Sequence, residues 1–595
     1  MADNNIYGTW FNGLTSAISP ILLTAFLPIY KGFHYRFDWA DWETSANTWN
    51  DSYVTTNFQT AYDNSLPLTF EVFPSPVNSG ISPAYLFSAP YSVPKVNTTV
   101  ESYPYYYNSA FKTRFDNMYS HVISYIDGLP SGWQTLVKAW ESDEGSTGDY
   151  GAYKGTINSV TINGSTVCTG AGCSSYDIPI DQTWIDWKQD DIWTPYYSDI
   201  LATIPYVKPF LNADVSGISY GWIRDNVPPS WFKAATATKD YNMSGESVLA
   251  ERLLNSDGDN DEDGRWRGEF EESSTLSWWL PAPKANFFAL ACSCLHSGVD
   301  VISANPNYLY NMASTDLYGY QFFNKYAGIR NVSETNVGFC ALRGVIDIAD
   351  TTKYSVATYG TLVSSANLAA YTSKYNAITV DPNRDYWAKQ YAYVTLLTSG
   401  NSGATYVNTT RANNLRTAFP TATYRNSGDT DFRGDNYNQD FGVYMIPDNY
   451  YKYITQYSPD TTSIPIWRLG ATTSWYGRFA RATDYASGKT KMYFSVDDGL
   501  DNNGTSGNNV TLSVVYYDSG TTIWGVSVYT LKGIEEVMNR QNTNTNQWLT
   551  ASITFDGFLF GGNLANSTDI TLNLYSPNQN VTFSLIEFKN NSKTV

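Results

Sequence analysis

The sequence predicts an α/β fold class: a (β/α)8 TIM barrel followed by a C-terminal antiparallel β-sandwich of jelly-roll type. Three observations point there. The chain has 595 residues, more than the roughly 250–300 that a single hydrophobic core serves. Its first half alternates apolar β-like runs with helical stretches, the pattern of parallel strands joined by helices. From about residue 510 the texture changes to short alternating runs separated by Asn, Gly, Asp and Ser turns, as in a sandwich. The barrel with its connecting helices is expected over 1–400, and the C-terminal region with the sandwich over 401–595.

Taken in order, Gly32 to Trp39 reads as the first barrel strand and Leu66 to Pro74 as the second, with a helix from about Tyr53 to Asn64 between them. Ala84 to Ser88 is the third strand candidate. Ser109 to Asp127 is an amphipathic helix, because Phe111, Phe115, Met118, Val122 and Ile126 recur at helical spacing. It leads into the fourth strand, Trp133 to Trp140. After an insertion rich in Gly, Ser and Thr comes a helix over roughly Asp181 to Ile204. Pro209 to Ala213, Ile218 to Trp222 and Arg265 to Phe270 are read as strands five, six and seven. The helix Lys284 to His296 and the run Gly298 to Ser303 complete the count. Five sandwich strands follow: Val510 to Tyr517, Thr522 to Tyr529, Trp548 to Phe555, Asp569 to Tyr575 and Val581 to Phe588.

Composition narrows the function. The chain carries 48 Tyr and 19 Trp, with abundant Asn, Thr and Ser and little Lys or Glu. Aromatic rings suit the apolar faces of pyranoses, and amide and hydroxyl groups suit sugar hydroxyls. A formal net charge of −19 argues against nucleic acid, whose binding depends on neutralising phosphates. With three histidines and no zinc-type cysteine spacing, a His-based triad or a His-ligated metal is not expected. Cys168 and Cys173 frame a small loop that can close as a disulfide, and Cys292 and Cys294 read as small packed residues of a helix. The apolar stretch Ile18 to Tyr30, broken by Pro20 and Pro28, is too short to span a bilayer. The N-terminus lacks the features of a signal peptide, and the chain is read as a mature domain that acts secreted, periplasmic or at the cell surface.

Chemistry in such a barrel sits at the carboxyl ends of the strands. Two acidic clusters fall there. Trp140-Glu141-Ser-Asp143-Glu144 closes the fourth strand, and Arg265-Trp-Arg267-Gly-Glu269-Phe-Glu271-Glu272 closes the seventh. Retaining glycosidases use two carboxyl groups about 5–5.5 Å apart, one a nucleophile and one an acid/base, so a pair facing across a barrel is a credible match. The segments Glu144 to Asp149, Tyr153-Lys154-Gly155, Arg267 to Phe270, Gly298 to Val301, Phe322 to Gly328, Trp467-Arg468 and Tyr476 to Arg481 resemble clan A glycoside hydrolases. Among these, the likeness is to red-algal galactan hydrolases of the β-carrageenase, β-agarase and porphyranase type. The resemblance implies Glu144 as general acid/base and Glu269 as nucleophile. Asp143 stands where the clan usually has Asn, which keeps Glu141 as the alternative to Glu144; Glu271 and Glu272 are the rivals of Glu269.

Around the pair, Arg36, Lys138, Lys154, Arg224, Arg265 and Arg267 could bind sulfate or anchor the carboxylates. Tyr220 could hydrogen-bond the nucleophile, and Trp39, Trp42, Trp140, Trp222 or Trp266 could stack on sugars or pack in the core. No cofactor is required. Asp257, Asp259, Asp261 and Asp263 alternate before Gly264 and make a possible structural Ca2+ loop, though Phe270 stands where an EF-hand needs Glu. The expected partner is a polysaccharide, and a sulfated galactan fits. The alternatives are a β-galactosidase-like clan A glycosidase acting on another polymer, and a non-catalytic surface glycan-binding protein.

Overall fold

The computed structural model describes residues 6–141, 145–146, 151–179, 182–212, 231–234, 266–269, 283–296, 301–304, 316–329, 332–343, 449–467, 469–471, 473–477 and 479–595. The chain divides into two compact units. The first takes Met1–Ala235, Asn255–Glu269 and Val301–Tyr310, and the second takes Thr236–Leu254, Phe270–Asp300 and Asn311–Val595. Among the described residues, no helix is long and apolar enough to cross a membrane.

Eight strands of the first unit are parallel and pair in sequence order: β1 (Gly8–Asn12), β2 (Gly32–Asp38), β3 (Leu68–Phe73), β4 (Val137–Glu141), β5 (Lys208–Asn212), β6 (Trp231–Ala234), β7 (Trp266–Glu269) and β8 (Val301–Ala304). The last pairs back onto the first, Val301 opposite Gly8, so the hydrogen-bonding path is a closed ring. Helices α1 (Pro20–Phe26), α2 (Asp51–Asp63), α3 (Ser109–Asp127) and α4 (Thr194–Thr203) occupy crossovers between successive strands.

The strand sequences dictate which face packs on the helices. Successive side chains of a strand point to opposite faces, so Phe33, Tyr35 and Phe37 share one face of β2 and His34, Arg36 and Asp38 the other. The aromatic face meets α2, with Tyr35 5.7 Å from Phe58. Phe70 of β3 meets the same Phe58 at 5.8 Å and stacks on Trp140 of β4 at 5.5 Å. Trp140 in turn stacks on Tyr119 of α3 at 4.4 Å. Helix α3 begins where Asn108 caps it, its side-chain oxygen accepting from the Ala110 and Phe111 N–H groups. It buries the apolar stripe read from its spacing, Phe111, Phe115, Met118, Val122 and Ile126. With these aromatics turned outward, His34, Arg36, Thr69, Glu71 and Glu141 line the inside of the ring.

Two differences from the sequence reading cancel. The first strand is Gly8–Asn12, a short run buried throughout, so it carries no polar–apolar alternation to mark it. The segment Ala84 to Ser88 is no strand. It forms a 3-10 turn, Ala84–Phe87, entered from Pro83, with Leu86 as its buried residue. The fourth strand starts at Val137 because Ser131–Gln134 forms a helical turn after Pro130. β4 and β7 therefore keep the places assigned to them. Ile218 to Trp222 lies outside the described residues, and the sixth strand is Trp231–Ala234. Cys168 and Cys173 are disulfide-bonded, and Cys292 is buried.

Among its described residues the second unit holds an antiparallel sheet of 12 strands and the helices Pro283–His296 and Tyr318–Tyr326. All five strands read from sequence are present, as Asn508–Tyr517, Ile523–Thr530, Trp548–Phe558, Ile570–Leu574 and Thr582–Asn590. Their inward residues, among them Leu512, Val514, Trp524, Val526, Leu572 and Phe583, share one apolar core. The sheet also takes in Val337–Ala341, paired with Thr582–Asn590, so it draws on chain well before residue 401. Gly533–Gln541 was not legible as a strand: with Glu535, Glu536, Asn539 and Arg540 it reads as polar loop, and it pairs along the outside of Ile523–Thr530.

Candidate active site

The inner faces of β2, β3 and β4 carry a buried ionic cluster. Register sets it: His34 lies opposite Thr69, Arg36 opposite Glu71, and Glu71 opposite Glu141. His34 Nε2 is 3.2 Å from Glu71 Oε1 and 3.4 Å from Glu141 Oε2. Its Nδ1 is 2.8 Å from Thr69 Oγ1. Arg36 Nε forms an ion pair with Glu71 Oε1, and its guanidinium lies 4.4 Å from the centre of the Phe73 ring. His34, Glu71 and Glu141 are fully buried, whereas the Arg36 side chain retains 30% exposure.

Three strands end in carboxylates on the same rim: Asp38 on β2, Glu141 on β4 and Glu269 on β7. Asp38 is half-buried. Its pKa is pushed up to about 6, first by burial, then by the neighbouring Asp41 charge and by Glu71, against the opposing pull of Arg36. Such a carboxyl can hold a proton near neutral pH.

Past β4 the chain is tied down at once. The Gly145 carbonyl accepts from Ser75 Oγ at 2.7 Å and from the Tyr106 hydroxyl at 2.8 Å. Gly145 has φ +96°, a conformation open to glycine at little cost. Ser146 closes the turn by donating from N and Oγ to the Gly151 carbonyl. The residue before this anchor is Glu144.

Glu144 itself lies outside the described residues, as do Tyr220, Trp222, Arg224 and the acidic loop Asp257, Asp259, Asp261 and Asp263. The backbone of Glu269 ends β7 opposite Ser303, and Arg267, two residues before it, shares its strand face. Lys154 is half-buried, and its carbonyl accepts from Thr98 Oγ1.

Three residues read as possible sugar platforms are corrected. Trp39 is fully buried, its Nε1 donating to Glu43 Oε2 at 2.8 Å and its ring packed edge-on to Phe111 and Phe115. Trp140 is 2% exposed between Phe70 and Tyr119. A ring covered on its faces has none left for a pyranose. Parity gives the reason: if Glu141 points into the ring, Trp140 beside it points to the helices. Trp42 is likewise buried, held by Asp51.

Sequence reasoning missed His34, Glu71 and Asp38. The signal was present: His34, Arg36 and Asp38 alternate with aromatics in β2, and Glu71 is the lone charge in Leu68–Phe73. Nearby Glu43 shows the structural use of a buried carboxylate. It accepts from Trp39, Tyr85 and the Asn47 N–H and pairs with Arg114, which also donates to Asn47 Oδ1.

The donor atoms of His34, Glu71 and Glu141 lie within 4.8 Å of one another, close enough to gather on one cation. The Arg36 guanidinium on Glu71 already supplies positive charge at that place.

No family model matches the chain, and no curated protein matches it. Among solved structures, the chain is similar to the catalytic domain of β-amylase from Paenibacillus polymyxa, at 11% identity and a TM-score of 0.36 over 54% of this chain and 98% of that one. It is similar to a catalytic mutant of the GH42 β-galactosidase from G. stearothermophilus at 10% identity and a TM-score of 0.33, covering 55% of this chain and 56% of that one. A psychrophilic family 10 endo-β-1,4-xylanase matches at 10% identity and a TM-score of 0.29, over 50% of this chain and 86% of that one.

Proposed function

We propose that the chain is a retaining glycoside hydrolase on a (β/α)8 barrel, cleaving β-galactosidic linkages in a red-algal galactan such as carrageenan, agarose or porphyran. One observation carries the reading: in a closed ring of parallel strands, the fourth and the seventh each end in a glutamate, Glu141 and Glu269. Register supports the barrel type. Followed once round the ring through Arg36, Glu71, Glu141, Phe210 and Trp231, the pairing returns to β1 about eight residues out of step, the stagger of a (β/α)8 barrel.

In this reading Glu269 attacks the anomeric carbon while a second glutamate protonates the leaving oxygen; water then releases the sugar and configuration is retained. Glu141 is engaged by His34 inside the ring, which suits a fixed charge better than a proton shuttle. Glu144 follows it by three residues and precedes the anchored Gly145, which favours Glu144 as acid/base. The galactan itself rests on the sequence resemblance, with Arg36, Lys154 and Arg267 as candidates for sulfate or carboxylate contacts. The acidic run from Asp257 to Asp263, which precedes in sequence the strand that carries the nucleophile, is the proposed calcium site.

The test is reducing-end release from agarose, porphyran, carrageenans and plain β-galactan by the native chain and by Glu144→Gln and Glu269→Gln. One polymer should be cut, and each substitution should lower the rate on the order of 10³-fold. Binding without cleavage of any polymer would favour the glycan-binding alternative.

A further inference from the structure

We propose that four half-buried aromatic rings, Tyr176, Tyr105, Tyr107 and Trp187, form a galactan-binding row on the loops that follow β3 and β4. As a subsite of a hydrolase this rests on the function proposed above; as a glycan-binding surface it stands on its own geometry. Topology puts the row in place. The chain between β3 and α3, and that between β4 and α4, leaves the ring at the carboxyl ends of its strands, the rim where barrel chemistry sits. Two strands of the first loop, Lys95–Thr98 and Ser102–Pro104, join two of the second, Ile157–Ile162 and Ser165–Thr169, in one antiparallel sheet, with Lys95 opposite Thr161.

Local sequence decides which rings show. In Tyr103-Pro-Tyr-Tyr-Tyr107, Tyr103 and Tyr106 are buried, whereas Tyr105 and Tyr107 keep part of their surface exposed. Tyr106 is the inward anchor: its hydroxyl donates to the Gly145 carbonyl, and its ring lies 6.5 Å from Trp187. The row therefore stands one ring away from the glycine that follows Glu144 in sequence. Its successive centroids are 5.1 Å apart from Tyr176 to Tyr105, 6.0 Å from Tyr105 to Tyr107 and 5.3 Å from Tyr107 to Trp187. The ring contacts described for the three tyrosines are edge-on or tilted, whereas Trp140 is stacked against by both Phe70 and Tyr119. Trp187 gives a face to Trp184 at 5.0 Å and is half-buried. Behind the row, Tyr105 and Tyr176 pack on buried Val96, Val160 and Cys173, and Cys173 is tied to Cys168. Rings fixed in this way lose little freedom when a ligand arrives.

Chemistry names the occupant. Flat rings with hydroxyl edges match a chain of pyranoses, which offer C–H groups on their faces and hydroxyls around them. Galactose suits such rings because its axial hydroxyl leaves the C–H groups of one face as a continuous apolar patch. Ser174, Ser175 and Asp177, all exposed, flank Tyr176 and supply hydrogen-bond partners for the sugar hydroxyls.

The experiment is affinity electrophoresis of the full chain through polyacrylamide gels holding agarose, porphyran, a carrageenan or plain β-galactan. At least one polymer should retard the native chain. Tyr105→Ala combined with Tyr107→Ala should weaken that binding about tenfold or more, and so should Trp187→Ala. Tyr105→Phe combined with Tyr107→Phe keeps the rings and should keep most of the binding. Tyr62→Ala, at an exposed tyrosine of α2, should leave it unchanged. If the double Ala variant loses its cooperative thermal transition, Tyr105→Leu with Tyr107→Leu, which keeps bulk and removes the flat rings, carries the same expectation. Retardation by none of the polymers, or retardation that the Ala and Leu variants leave unchanged, would overturn the proposal. Binding lost in these variants while no polymer is cut would uphold the row and count against the hydrolase reading. Cutting that depends on Glu269, with binding indifferent to the row, would do the reverse.

Discussion

Asp518 and Asp38 show how the same side chain takes opposite roles. Asp518 is fully buried in the second unit and accepts from the Thr543 and Thr545 backbone N–H groups and from both hydroxyls. Although burial opposes ionisation, those bonds win and hold its pKa down to about 2. A depressed carboxylate pKa contributes stability that is present above the ordinary value near 4 and lost as pH falls through about 2. Asp518→Ala should therefore cost about 2 kcal/mol at pH 7, since donors are left unpaired, and the gap to the native chain should close towards pH 2; urea unfolding across that range checks both. A gap constant with pH would assign the loss to packing. At Asp38, at the rim of the ring, burial wins instead and the pKa is pushed up to about 6. At this scale the sequence was half legible. Glu141 and Glu269 stand out because each falls in an acidic cluster at the end of a strand read from the sequence. Glu71 does not, because nothing in one strand's sequence says which neighbours' polar residues will meet inside a closed ring.

Elements were more legible where their pattern is local. Helix α3 matches its spacing from cap to end, because its stripe and its Asn108 cap are both written within the segment. β1 and Gly533–Gln541 were missed for opposite reasons, one being buried on every side and the other being polar and peripheral. The turn after β4 belongs to neither kind. Its fixed point, the Gly145 carbonyl, is held by Ser75 after β3 and by Tyr106 before α3, residues distant in sequence, and the Tyr106 hydroxyl lies 3.0 Å from Ser75 Oγ. If this anchor sets the approach of Glu144, Tyr106→Phe combined with Ser75→Ala should lower kcat about tenfold or more while thermal stability falls by no more than a few degrees. Loss of stability with kcat unchanged would make the anchor purely structural.

For the whole molecule, the boundary between the two units falls well before the expected residue 401, with Asn311–Val595 all in the second. The first holds a ring of parallel strands; on β2, β3 and β4 the aromatics Tyr35, Phe70 and Trp140 pack on the helices, and His34, Glu71 and Glu141 meet inside. The second supplies an antiparallel sheet around its own apolar core. The change of texture near residue 510 was visible because antiparallel strands with one wet face alternate, whereas Val337–Ala341, buried at every position, gave no such sign. The central claim is that a carboxylate at the end of β7 acts as a nucleophile. The most direct measurement is covalent trapping: incubate the native chain with a 2-deoxy-2-fluoro-β-galactoside bearing an activated leaving group, then map the labelled peptide by mass spectrometry. A glycosyl group on Glu269, absent from Glu269→Gln, is the predicted result. Label on Glu141, Glu144 or Glu271 instead, or turnover of the polymer with inversion and no label, would contradict the account.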